Sequence, residues 1–150
     1  MMDDDFLEQL ETCTLPDDRF HHADHVRAAW LYLTRYPTLT AMDRFSQALR
    51  AYATSRGKPE RYHETITWAY LLLINERIQS GERTTSWPDF ADRNPDLLDW
   101  RKPILERYYR KETLDSALAR RVFVMPDSWR RDCTSEVGVF LCGNSPLRQS

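Results

Sequence analysis

The chain has 150 residues, 41% hydrophobic and 12% aromatic, which is enough to bury one real core. Its 21 Lys and Arg against 23 Asp and Glu leave a formal charge of −2, so a polybasic nucleic-acid or membrane-surface protein is excluded. No window approaches the roughly 20 apolar residues that cross a bilayer, and the four isolated glycines build no phosphate-cradling loop.

The acidic opening Met1-Met2-Asp3-Asp4-Asp5 lacks the basic and apolar regions of a secretory leader, so the expected setting is cytoplasmic. Behind it, Phe6, Leu7 and Leu10 fall at helical spacing, and Pro16 ends the segment. A second helix is expected over about residues 22–36. Its stripe Val26, Ala29, Trp30 and Leu33 follows the i, i+3, i+4, i+7 pattern, and one turn further back lies His22. A third, capped by Thr38 or Thr40, carries Met42, Phe45, Leu49 and Tyr52 down to a glycine stop at Gly57. A fourth is expected over about residues 59–79. Being apolar almost all round from Ile66 to Ile74, it reads as the central buried helix. Beyond Gly81 the pattern shortens into helices opened by Pro88, Pro95 and Pro103, then one over residues 112–121. Val122 to Met125 is β-prone, and residues 133–143 read as a strand or a tail ordered only by packing. The fold expectation is all-α: a single-domain helical bundle over residues 1–126 with short C-terminal helices, followed by a weakly patterned extension over 127–150.

All four histidines lie in two short clusters, His21, His22 and His25 in one and His63 beside Glu64 in the other. Residues three or four apart on a helix face the same way, so His22 and His25 can converge, as can His21 and His25. His22 continues the buried stripe, which favours it over His21. If the second and fourth helices pack together, His22, His25, His63 and Glu64 can surround a divalent metal, as facing helices do in bundle metal sites. Imidazole with carboxylate suits zinc, iron, manganese or nickel. In this scheme Glu64 binds the metal or moves a proton, Asp24 orients a histidine, and Arg27 grips an anionic group of the substrate.

The corresponding expectation is a small metal-dependent enzyme that activates water or dioxygen for a small, anionic substrate. The alternative is a non-enzymatic binding or interaction domain whose His/Asp/Glu/Arg cluster is a structural network, with Glu64 or Asp24 paired to Arg27. Metal-free acid-base catalysis by a His/Glu pair in a cavity lies between the two. Trp30, Tyr32, Trp68 and Tyr70 wall a cavity or fill the core, and a Trp-rich surface suits a homodimer interface. Cys13, Cys133 and Cys142 form no CxxC pair, so neither a disulfide framework nor a thiolate zinc site is expected.

The segments Phe20-His21-His22-Ala23-Asp24-His25-Val26-Arg27-Ala28-Ala29-Trp30 and Tyr62-His63-Glu64-Thr65-Ile66-Thr67 carry a resemblance. They resemble a family of short, uncharacterised bacterial proteins sharing F-x-H-x-D-H-x-R-x-A-W and Y-H-E-T-[IL]-T. The resemblance runs from about Phe6 to Pro126 and implies no particular activity or cofactor. It points to His22, Asp24, His25, Arg27, His63, Glu64 and Thr65 rather than His21.

Overall fold

The structure is a computed structural model that describes residues 1–83 and 86–132. The described residues form an all-α single domain without strands. Helix α1 (Asp3–Glu11) buries Phe6, Leu7 and Leu10 as their spacing requires, and its three aspartates occupy the first turn, where the helix dipole favours them. A 3₁₀ turn at Asp17–Arg19 leads into α2 (His22–Arg35). Helix α3 (Thr38–Ser55) starts directly after Pro37 and ends at Arg56, where Gly57 takes the left-handed conformation (φ 68°) that a glycine adopts without strain.

The fourth helix starts later than its sequence suggests. Pro59–Arg61 form a separate 3₁₀ turn, Tyr62 and His63 are extended, and α4 spans Glu64–Ser80. The helix cannot begin earlier because the His63 side chain is itself the cap: its ring accepts a hydrogen bond from the Ile66 N–H at 3.1 Å.

Helix α2 packs against both α3 and α4, and it buries Ala28, Leu31 and Tyr32 in addition to the expected stripe. It is thus α2, rather than α4, that is surrounded. Helix α4 packs against α2, α3 and two later segments, yet keeps Trp68 at 36% and Leu72 at 43% exposure, one turn apart on an outward face. Trp68 stacks on Phe123, with ring centroids 5.7 Å apart.

The C-terminal part wraps this core as an arm of short helices: α5 (Trp87–Arg93), α6 (Pro95–Leu98), a 3₁₀ turn (Ile104–Arg107), α7 (Lys111–Asp115), α8 (Ala117–Arg121) and α9 (Asp127–Asp132). The single helix expected over 112–121 is two, broken at Ser116, whose extended backbone lets its hydroxyl cap the Ala119 N–H at 3.1 Å. The β-prone Val122–Met125 stretch pairs with no strand among the described residues; Val124 gives its N–H to Thr65 Oγ1, at 3.1 Å. Helix α9 starts at Asp127, the first residue of the expected extension, and Asp127 Oδ2 accepts the Arg110 N–H at 2.8 Å. The expected strand or tail at 133–143 lies outside the described residues. An ion pair at 2.8 Å from Arg77 to Asp96 ties α4 to α6 and holds the Asp96 carboxyl below its usual range. No described helix is long and apolar enough to cross a membrane.

Candidate functional site

The start of α4 is buried, with His63 and Glu64 each 7% exposed, so every polar atom there needs a partner. The His63 ring has two. With Nδ1 accepting from Ile66, the ring proton sits on Nε2, which donates to the Leu114 carbonyl at 2.7 Å. His63 therefore caps α4 with one nitrogen and anchors α7 with the other. Glu64 turns away from the histidines into an ion pair with Arg50 of α3. Thr65 Oγ1 donates to the carbonyls of Ala119 (2.7 Å) and Val122 (2.9 Å), and Thr67 bonds back to His63 O at 2.7 Å.

The first cluster divides in the same way. His22 opens α2, and its Nε2 lies 2.9 Å from the Leu97 carbonyl, with the ring edge-on to Tyr70. Asp24 accepts the His21 N–H at 2.9 Å and stands 3.7 Å from His21 Nδ1, so it serves the histidine expected to turn outward. Arg27 pairs with Asp3, donates to the Met1 carbonyl at 3.1 Å and lies over the Phe6 ring, which fastens α1 to α2 away from the other candidates. The expected pairing of Arg27 with Glu64 or Asp24 does not form. Among the described residues no group of three or more His, Cys, Asp or Glu side chains is arranged to hold a metal ion. The donor set His22, His25, His63 and Glu64 does not fit one: His63 has both nitrogens engaged and Glu64 is bound to Arg50.

The three histidines meet in pairs instead. His22 and His25 line a gap of about 80 Å³, His22 and His63 a cavity of about 660 Å³, and His25 and His63 one of about 290 Å³, with Ile66 in all three walls. His25 differs from its neighbours. Its ring stacks on Phe20 (centroids 4.0 Å apart, 27° between planes) between the 80 and 290 Å³ spaces. Burial lowers its pKa to about 4, aided by the nearby His22 and opposed by Asp24 and by a hydrogen bond to the Phe20 backbone. The imidazole is neutral near pH 7 and presents a lone pair.

The 290 Å³ cavity lies between the Asp17–Arg19 turn, the start of α2, the end of α3 and the start of α4. Phe20, Leu49 and Ile66 give it apolar walls, while Tyr52, His63 and Thr67 form its buried side. Several of its polar groups are already committed. Tyr52 donates to the Leu15 carbonyl at 2.8 Å and to Asp17 at 3.0 Å, and Arg56 pairs with Asp17 at 3.2 Å. Lys58 and Arg61 also line it and form no ion pair among the described residues. Sequence reasoning passed over these groups because charges in a turn look like a solvated surface. The available signal was three cations, Arg56, Lys58 and Arg61, within six residues around a glycine helix stop.

No protein-family model matches this chain, and no curated protein or solved structure matches it either.

Proposed function

We propose that the protein binds a small organic molecule in the 290 Å³ cavity and that His25 is the group that exchanges a proton or hydrogen bond with it. The observation that carries this reading is the His25 ring, stacked on Phe20 in the wall of an apolar-sided cavity, while His63 beside it has no nitrogen left to offer; desolvation keeps the His25 ring neutral near pH 7. The volume is near the lower end of the roughly 300–1,000 Å³ typical of small-molecule sites, which suits a compound built on one ring. Its chemistry is acid-base rather than nucleophilic or metal-centred, the third of the readings open to the sequence.

The test follows the backbone and His25 ring resonances of labelled protein during titration with benzamide, a neutral one-ring probe. Saturable shifts confined to His25, Phe20, Tyr52 and Ile66 support the reading; shifts elsewhere, or none, overturn it. The metal-dependent version requires His63 to release Ile66 and Leu114, and Glu64 to leave Arg50. Titration with zinc, iron(II), manganese and nickel separates the two. Stoichiometric uptake with a raised Tm, lost in His22→Ala and His25→Ala, replaces the acid-base reading with the metal one.

A further inference from the structure

The electrostatics of the same cavity narrow the class of ligand. Three cations and one carboxylate line it, an excess of two positive charges in a chain whose total is −2. Asp17 is spent on Arg56, which also donates to the Leu15 carbonyl. Lys58 and Arg61 remain without acidic partners among the described residues. Arg61 is exposed and Lys58 partly buried, which puts them at the mouth, whereas Tyr52, His63 and Thr67 are buried. A cation with no partner in a partly enclosed site attracts an anion more strongly than one in open water, because fewer solvent dipoles screen it. Leu49 and Ile66, both partly buried, also line the cavity and offer apolar area with no hydrogen-bonding side chain.

We infer that the ligand carries a carboxylate or phosphate held at the mouth by Lys58 and Arg61, with an apolar body lying on Leu49 and Ile66 toward His25. This rests on the cavity being the ligand site, and adds to that reading the charge and orientation of what enters. Arginine at the mouth supplies a planar fork that matches two oxygens of one anionic group, and lysine supplies a point charge beside it.

Three one-ring probes separate the possibilities: benzamide, benzoate and phenyl phosphate, titrated by calorimetry and by the His25 resonances. The expected result is that at least one anion binds about tenfold more tightly than benzamide and weakens with added salt, about 1.4 kcal/mol of discrimination. Whichever anion binds more tightly identifies the group. The double variant Lys58→Gln/Arg61→Gln should lose that tenfold advantage and leave benzamide binding unchanged, with an unaltered urea midpoint because neither side chain is in an ion pair among the described residues. Lys58→Arg should retain it. Benzamide binding as tightly as both anions, or a double variant that still prefers the anion, overturns the inference while leaving the cavity reading intact. If no probe shifts His25, both fall.

Discussion

The two sides of the α4 N-terminus use one residue type in opposite ways. On the side of the C-terminal arm, His22 lies within hydrogen-bond distance of the Leu97 carbonyl and His63 donates to that of Leu114, so both fasten short helices to the core. On the side of the 290 Å³ cavity, His25 stacks on Phe20, is desolvated and neutral, and faces open volume. An imidazole bonded to the carbonyl of a segment far along the chain is a structural fastener. One that is partly buried, neutral and facing a cavity is available to a ligand. Proximity in sequence does not separate the two classes, since His22 and His25 are only three residues apart.

Four experiments probe this division, beginning with the largest expected effect. His63→Ala leaves the Ile66 N–H and the Leu114 carbonyl without partners and opens a void at a buried site, so it should cost about 4 kcal/mol in urea unfolding. A cost under about 1 kcal/mol would remove His63 from the fasteners.

Acid should act through His25. Its folded pKa of about 4 lies below the ordinary histidine value of 6.5, so between these limits the unfolded chain binds a proton that the folded chain does not. Stability from this group is complete above pH 6.5 and declines as pH falls to about 4, a loss on the order of 3 kcal/mol. Urea midpoints measured across that window should show the slope in the wild type and a shallower one in His25→Gln. Equal slopes would mean that His25 is solvated.

Thr65→Val removes a hydroxyl that donates to Ala119 and Val122 and accepts from Val124, and should cost about 2 kcal/mol by loosening the arm. Amide exchange should rise first in α8 and the segment after it. The smallest effect is expected for Arg27→Ala, about 1 kcal/mol from the lost Asp3 pair and Phe6 contact, with benzamide affinity unchanged. A fall in affinity would return Arg27 to the ligand site.

Much of the core was legible because local spacing determines it. The Val26, Ala29, Trp30 and Leu33 stripe is buried, and α3 runs from Thr38 to a glycine stop. The polar start of α4 was visible as an anomaly, but its resolution was not. The Leu97, Leu114, Ala119 and Val122 carbonyls that satisfy His22, His63 and Thr65 lie 51 to 75 residues away in sequence, and backbone acceptors leave no mark on residue identity. The same long-range pairing explains Glu64, whose partner Arg50 sits on the neighbouring helix and not one turn beyond the histidines. Helix periodicity also overstated the burial of α4, because an all-round apolar sequence does not reveal that only some of its faces find a neighbour.

The central claim is that His25 is a desolvated, neutral imidazole in the wall of the 290 Å³ cavity, with one nitrogen on the Phe20 backbone and the other left for a ligand. The most direct test is a pH titration of the His25 ring resonances in the folded protein. A midpoint of about 4 is expected, far below that of a solvated histidine. A midpoint near the ordinary value of about 6.5 would show a water-exposed ring and contradict the account.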